Sequence, residues 1–178
     1  MGLIPLMEIP VEDRVSVVFD EIRDELGAIP TLFRAHAHHP ALLEANWYKF
    51  KALMIHGCLS AQLKEGIGLV ISADNHCDYG IYHHSVSMEN LGVARDDVMR
   101  IRNHPDDVHF SDKEQALFNL ARHANLDPDN HGEKLIIAAR ELGARDDEII
   151  EALGVMEMVV GFNHFASVLA LEPQRDRT

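Results

Sequence analysis

The chain has 178 residues, about the length of one ordinary domain, and its 47% hydrophobic and 25% charged residues exclude wholesale disorder. Its 29 acidic residues outnumber its 16 basic residues, which leaves a formal net charge of −13 with no basic run to offset it. We therefore expect no nucleic-acid partner and no binding to a membrane surface, since both are bound through clustered cations.

The sequence shows neither the pattern of a targeting signal nor that of a disulfide-stabilised domain. Residues 1–6 lack the basic start and the long apolar core of a secretory signal, and no apolar run predicts a membrane span. The two cysteines, Cys58 and Cys77, are too few for a disulfide framework. These features predict a cytoplasmic protein.

Apolar residues recur at three- and four-residue spacing along most of the chain, which indicates helices. The N-terminal helix region, about residues 1–25, has its stop signal at Gly27. Further helices are predicted over about 30–38, 40–56, 60–73 and 78–90, from 111 onward, and over about 146–169. No segment alternates as a strand would. We therefore predict an all-α fold in a single domain that spans residues 1–178.

The sequence also repeats itself at a fixed offset. Leu91-Gly92 and Leu142-Gly143 each precede an acidic helix start, and the offset between them also carries Ser60 onto Ser111, both predicted helix caps. We therefore predict two pseudo-repeats, residues 59–101 and 110–153. Because the second copy has no cysteine, we expect the chemistry in the first.

The first copy holds a group of reactive side chains. Glu65 lies ten residues before a predicted turn at Asn75 and His84 nine residues after it, so a helical hairpin would place them side by side. Polar groups buried face to face in this way are expected to pair. Cys77 comes at the start of the second helix, where the helix dipole and free N–H groups stabilise a thiolate. This arrangement predicts an acid–base or redox site.

The spacing of these residues resembles that of a known superfamily. Glu65, twelve residues before Cys77, and His84, seven residues after it, follow the pattern of alkylhydroperoxidase-D (AhpD) and carboxymuconolactone decarboxylase, and most closely the peroxidase-related branch. Three further segments match that branch: Leu26-Gly27-Ala28-Ile29-Pro30, Phe33-Arg34-Ala35-His36 and Phe162-Asn163. The resemblance spans about residues 26–171. It implies an AhpD-like orthogonal helical bundle with an internal repeat of helical hairpins, assembled as a homo-oligomer (dimer, trimer or hexamer).

The sequence departs from the redox members of the superfamily at one position. Those members carry Cys-x-x-Cys-x-x-x-His and form a disulfide within the motif, whereas Gly80 stands here in place of the second cysteine. A single thiol has no resolving partner of its own. We do not expect Cys58 to replace that partner within one protomer, because the predicted helix over 60–73 would keep it roughly 20 Å or more from Cys77.

Three functions remain open at this point. The first, implied by the resemblance, is thiol-dependent reduction of a hydroperoxide: Cys77 is oxidised to a sulfenic acid, Glu65 and His84 relay protons, and an external thiol is the reductant. The second is acid–base chemistry of the decarboxylase type, by Glu65 and His84, on a small organic acid beside Gly80, for which Arg34 is the one candidate cation. The third is an oligomeric scaffold that has lost its activity.

Two tyrosines and two groups of histidines complete the set of candidates. Tyr79 and Tyr82 are expected at the mouth of the substrate pocket. The histidine groups are His36 with His39, and His76 with Cys77 and His84. Neither has the closed spacing of a zinc site, so we expect no metal and no cofactor.

Overall fold

The computed structural model describes residues 3–8, 14–108 and 110–173, and in these ranges the chain is built from α-helices without any β-strand. The helices are α1 (Arg14–Leu26), α2 (Thr31–His36), α3 (Pro40–Phe50), α4 (Ala61–Asp74), α5 (Asp78–Asn90), α6 (Arg95–Asn103), α7 (Asp112–Leu126), α8 (Gly132–Glu141) and α9 (Asp146–Val168). A π-helical turn, Lys51–Ile55, continues α3, and a 3-10 turn, Pro105–Asp107, follows α6. The predicted all-α class is confirmed.

Local side chains determine where several of these helices begin. The hydroxyl oxygen of Ser60 accepts a hydrogen bond from the backbone N–H of Leu63 at 3.2 Å, and that of Ser111 accepts one from Glu114 at 3.4 Å. Both hydroxyls also donate to the Glu114 carboxylate, each at 2.7 Å. These hydrogen bonds lower the pKa of Glu114 below its ordinary value, and the bond from Ser60 has the largest effect. One carboxylate therefore ties the start of α4 to the start of α7.

The segments 59–101 and 110–153 begin with these two serine caps. Each continues through two helices to a Leu-Gly stop, where Gly92 and Gly143 adopt left-handed backbone angles, with φ of 83° and 88°. A duplication would leave such matched ends, and the pseudo-repeat stays a prediction.

The main core forms where α4 packs against α5, α7 and α9. It is built from apolar side chains such as Leu63, Ile67, Phe118, Val155 and Val159, all nearly or fully buried. A second apolar cluster joins α1, α2 and α3 around Trp47 and Phe33. The π-helical turn and Phe50 connect the two clusters, so the N-terminal helices lie as a layer against the α4–α5 hairpin and α9.

Helix α9 is apolar along most of its 23 residues. By length and composition it is long and apolar enough to span a membrane, contrary to the expectation that no segment has that character. A core helix of a folded domain passes the same test, and α9 packs against α4, α5, α7 and α8. The interruptions by Glu148, Glu151 and Glu157 hid this character from a search for unbroken apolar runs.

Candidate active site

The α4–α5 hairpin brings Glu65 and His84 together. The Nδ1 atom of His84 lies 2.7 Å from Oε2 of Glu65, and both side chains are about one-sixth exposed, at 16% for His84 and 17% for Glu65. Helix α4 ends at Asp74, and Asn75 and the left-handed His76 (φ 53°) reverse the chain before α5 begins. Nearly equal distances from that turn, ten and nine residues, place the two side chains opposite each other, as the spacing in the sequence predicted.

A glycine of α4 makes room for the histidine. A Cβ atom added to Gly68 would lie 2.3–2.6 Å from three atoms of the His84 imidazole, so the ring rests directly on the backbone of α4. This position was missed in the sequence. The available sign was the pair Gly66 and Gly68 inside an otherwise well-capped helix, where each glycine costs about 1 kcal/mol relative to alanine.

The Glu65–His84 pair lies on the wall of a cavity of about 340 Å³. The cavity lies between the N-terminal layer, the α4–α5 hairpin and α9. Most of its lining is apolar or aromatic: Leu26, Ala28, Pro30, Leu32, Phe33, Phe50, Tyr79, Gly80, Tyr82, Val86, Met158, Val159 and Phe162. The polar side chains on the wall are Glu65, His83, His84, Ser87 and Asn163, and no lysine or arginine of the described residues is among them.

Cys77 does not line this cavity. It occupies the N-cap position of α5, is 2% exposed, and packs in an apolar cluster with Leu32, Tyr79 and Ala166. Its Sγ donates to the backbone carbonyl oxygen of Asn163 at 3.7 Å. The structure thus brings Glu65, His84, Gly80, Tyr79 and Tyr82 to one cavity wall, while the thiol lies behind that wall.

Gly80 allows α5 to approach α4 and α9 closely. A Cβ atom at this position would lie 2.3 Å from Oγ of Ser72 and 2.5 Å from Oδ1 of Asn163, and these two atoms are joined by a hydrogen bond of 3.2 Å. One of the functions left open by the sequence places a small organic acid beside Gly80. The structure shows that Ser72 and Asn163 fill that space.

The two tyrosines differ in their surroundings. Tyr79 is buried, and its hydroxyl oxygen accepts a hydrogen bond from the backbone N–H of Leu32 at 3.1 Å, which anchors α5 to α2. Burial raises its pKa, so the hydroxyl stays protonated. Tyr82 is half-buried on the cavity wall, with its ring edge-on to His83 at 5.4 Å between centroids.

Two cavity side chains present polar atoms that are buried and have no hydrogen-bond partner. They are Nε2 of His83 and Nδ2 of Asn163, and neither residue was selected as a site residue from the sequence. Burial, and to a lesser extent the neighbouring His84, lowers the pKa of His83 to about 4, so its ring is neutral at pH 7. An unsatisfied buried polar group costs about 1–3 kcal/mol. Two such groups belong to residues of the same cavity wall, where a bound molecule could satisfy them.

The candidate cation for an organic acid lies elsewhere. Nε of Arg34 donates to the backbone carbonyl oxygen of Met7 at 3.0 Å, and Arg34 is not on the cavity wall. The expectation that it could bind a substrate carboxylate is therefore wrong: the side chain holds the N-terminal segment against α2.

The histidine groups considered for metal are dispersed. His36 is buried and stacks on Phe165 at 4.1 Å, while Nδ1 of His39 accepts the backbone N–H of Leu42 as the cap of α3. His76 is exposed at the hairpin turn, and His84 is paired with Glu65. Within residues 3–8, 14–108 and 110–173, no group of three or more His, Cys, Asp or Glu side chains could hold a metal ion.

Cys58 is exposed, and its thiol is free, as is that of Cys77. It lies just before α4, where its backbone N–H donates to Glu151 of α9 at 2.6 Å. Desolvation, followed by the Glu151 carboxylate, raises the pKa of its thiol to about 11. A thiol of this kind is a weak nucleophile at neutral pH.

The helical bundle, with Glu65 and His84 paired on a hairpin beside a cavity, has the fold of AhpD-like proteins. Among solved structures, an uncharacterized peroxidase-related protein from Silicibacter sp. TM1040 matches 98% of this chain and 93% of its own at 21% identity, with a TM-score of 0.88. A second, from Ralstonia eutropha JMP134, is described as an AhpD core. It matches 97% of this chain and 94% of its own at 20% identity, with a TM-score of 0.81.

A third similar structure belongs to the debrominase Bmp8, as a cysteine-to-alanine variant in complex with 2,3,4-tribromopyrrole. It matches 96% of this chain and 90% of its own at 17% identity, with a TM-score of 0.80. No curated protein matches the chain. Residues 40–123 match the model of the carboxymuconolactone decarboxylase family. This match covers just under half of the chain, and with the shared fold it supports a relationship to the AhpD-like and carboxymuconolactone decarboxylase superfamily.

Proposed function

We propose that this protein is an enzyme that transfers a proton to and from a small uncharged organic molecule bound in the cavity, with His84 as the acid–base group and Glu65 as its partner. The observation that carries this proposal is the 2.7 Å contact between Nδ1 of His84 and Oε2 of Glu65 on the wall of a cavity of about 340 Å³. Glu65 occupies one ring nitrogen, fixes the ring orientation and stabilises the imidazolium formed when His84 takes a proton. The other nitrogen, Nε2, is left for the substrate.

The lining of the cavity supports an uncharged substrate. A carboxylate substrate would need a cation, and none of the described lysines and arginines lines the wall. The rings of Phe33, Phe50 and Phe162 instead favour a small flat molecule, and the volume is at the lower end of the range for small-molecule sites. The tribromopyrrole bound by Bmp8, a protein of the same fold, is a compound of that shape. An uncharged ring is therefore a better substrate here than the organic acid expected from the sequence.

The second candidate is reduction of a hydroperoxide through Cys77. It is favoured by the position of Cys77 at the N-terminus of α5, with its sulfur against the backbone of Asn163, whose side chain lines the cavity. The thiolate would attack one peroxide oxygen, and the O–O bond would break. The alcohol would leave with a proton from His84, and two external thiols would return the sulfenic acid to the thiol with release of water. The 2% exposure of Cys77 weighs against this path unless α5 moves.

The proposal is tested by deuterium exchange. Small cyclic ketones and lactones are incubated with the protein in D₂O, and the loss of the ¹H NMR signals next to the carbonyl is followed. We expect exchange above the buffer rate, a loss of at least about 100-fold in His84→Gln and a smaller loss in Glu65→Gln, since general acid–base catalysis contributes about 10²–10⁴-fold. The exposed His104 provides the matched control, His104→Gln, which should exchange like the wild type.

Two results would contradict the proposal. Equal exchange in wild type and His84→Gln would remove His84 as the acid–base group. No exchange with any compound, together with no oxidation of Cys77 by peroxides, would favour the scaffold alternative.

A further inference from the structure

We infer that Asn163 and His83 form a pair of hydrogen-bond donors that binds an oxygen atom of the substrate, so that the substrate is a small cyclic ketone or phenol whose oxygen becomes negative during the reaction. This inference rests on the proposed function and specifies its substrate. Asn163 belongs to the Phe162-Asn163 segment that resembles the peroxidase-related branch, but the motif of glutamate, cysteines and histidine that carries the redox chemistry includes neither Asn163 nor His83.

Asn163 lines the cavity and has an amide nitrogen that no protein group satisfies. The residue is 3% exposed, and each of its oxygens is used within the protein: Oδ1 accepts from Ser72 at 3.2 Å, and the backbone oxygen accepts from Cys77 at 3.7 Å. The Nδ2 atom alone is buried without a partner, on a residue that lines the cavity. Buried donors in folded proteins are almost always paired, and among the unpaired ones this donor belongs to a residue of the cavity wall, where a ligand could supply the acceptor.

Gly80 makes this arrangement possible. A side chain at position 80 would occupy the place of the Ser72 hydroxyl and of Oδ1 of Asn163, and would turn the amide away. The hydrogen bond from Ser72 fixes the amide with its oxygen toward α4 and its nitrogen free. The glycine that replaces the second redox cysteine therefore belongs to the oxygen-binding arrangement.

His83 supplies the second donor on the same wall. Its ring is held by Tyr79 at 4.4 Å and by Tyr82 at 5.4 Å between centroids, and its Nε2 is buried without a partner. The ring is neutral, because burial lowers the pKa of His83 to about 4. With its proton on Nε2, a neutral imidazole donates to a developing oxyanion without giving up that proton.

The positions of these residues along α5 show how the Asn163–His83 pair lies relative to the Glu65–His84 pair. His83 and His84 follow Gly80 by three and four residues, so all three lie along one side of the helix within about one turn. Asn163 faces the first of these positions and Glu65 the last. In this arrangement, a carbonyl oxygen bound between Asn163 and His83 would direct its neighbouring carbon toward His84, the next residue along α5.

The reaction that this geometry allows balances without a cofactor. His84 takes a proton from the carbon next to the carbonyl, and the electron pair of that C–H bond forms a C=C bond. The π electrons of the carbonyl move onto oxygen, which accepts the hydrogen bonds of Asn163 and His83. The imidazolium then returns the proton to the same carbon or to a conjugated one, which gives exchange or isomerisation.

The inference is tested by binding, without turnover. The probe is 4-nitrophenol, whose oxygen resembles the enolate, and the matched ligand is nitrobenzene, which has the same ring and no phenolic oxygen. The test variant is Asn163→Asp, which keeps the acceptor for Ser72 and removes the donor. The control is Asn75→Asp, because Nδ2 of Asn75 is also buried without a partner but lies away from the cavity.

We expect the wild type and Asn75→Asp to bind 4-nitrophenol at least about tenfold more tightly than nitrobenzene, as a hydrogen bond to a charged oxygen is worth about that factor. Asn163→Asp should lose this preference, and His83→Phe should reduce it. If Asn163→Asp does not fold, His83→Phe tests the inference on its own. Equal binding of the two ligands, or a preference that survives in both variants, would overturn the inference. The exchange assay and the binding assay can also disagree. If exchange depends on His84 but Asn163→Asp still prefers 4-nitrophenol, the donor pair is overturned and the proposed function stands.

Discussion

The hydroxyl of Ser72 donates a hydrogen bond to Oδ1 of Asn163 at 3.2 Å, in the space where a side chain at position 80 would lie. Three helices, α4, α5 and α9, meet at this contact. A second cysteine at this position of α5 would have to displace Ser72 or Asn163, and this distinguishes the site from the disulfide-forming motif that it resembles.

We predict that restoring that cysteine, as Gly80→Cys, destabilises the protein by about 1–3 kcal/mol, the usual cost of overpacking. Gly80→Ala should show most of the same loss although alanine is the better helix former. Removing the opposing side chain in Ser72→Gly/Gly80→Ala should recover part of it. The measurement is urea unfolding, and a Gly80→Ala variant as stable as the wild type would contradict the packing argument.

A second prediction concerns Gly68, which lies under the His84 ring. Gly68→Ala should displace the imidazole from Glu65 and lower the exchange rate at least about tenfold, because the new Cβ would lie 2.3 Å from the ring. The control is Gly161→Ala in α9, where a Cβ meets nothing within 4 Å. That variant should keep its activity and gain about 0.5–1 kcal/mol in unfolding free energy. Equal activities of the two variants would show that the ring position does not matter.

The two cysteines should both react slowly in the folded protein, for different reasons. Burial protects Cys77, whereas Cys58 is exposed but has a pKa raised to about 11, so that on the order of a thousandth of it is thiolate at pH 8. Alkylation by iodoacetamide, followed by mass spectrometry, should be far slower at both sites than for a free thiol. Denaturant should then expose Cys77 to full reaction. Rapid, saturable oxidation of Cys77 in the native protein would instead favour the peroxidase candidate.

Stability should depend on pH through two buried histidines. Burial lowers the pKa of His36 from 6.5 to about 4, and that of His83 likewise, so the unfolded chain binds protons more tightly than the folded one between these values. Their contribution is therefore fully present above about pH 6.5 and is lost as the pH falls toward 4, by about 1–3 kcal/mol for each histidine. Urea unfolding of His36→Phe between pH 7 and 5 should show a smaller loss than the wild type.

The exposed His104 again supplies the control for this pH dependence. His104→Phe should lose stability with falling pH as the wild type does, because its side chain is not buried. If His36→Phe and the wild type lose the same free energy between pH 7 and 5, burial of His36 is not a source of the pH dependence.

Features fixed by local interactions were predictable from the sequence. The caps at Ser60 and Ser111 and the stops at Gly92 and Gly143 each depend on residues within four positions, and all appear where they were expected. The pairing of Glu65 with His84 was predictable too, because a hairpin with arms of equal length leaves little choice.

Features that depend on distant helices were not predictable. Cys77 is buried because Leu32 and Ala166, from α2 and α9, cover it, and nothing near Cys77 in the sequence indicates this. Asn163 reaches the cavity only because α9 crosses the hairpin beside Gly80. The Arg34 side chain bonds to Met7, a contact that follows from the path of the N-terminal segment.

A comparison of Cys77→Ala with His84→Gln in the deuterium-exchange assay decides whether the Glu65–His84 pair or the thiol carries the chemistry. We expect Cys77→Ala to keep its rate within a few-fold of the wild type and His84→Gln to lose at least about 100-fold. The opposite pattern, with exchange lost in Cys77→Ala and kept in His84→Gln, would contradict this expectation.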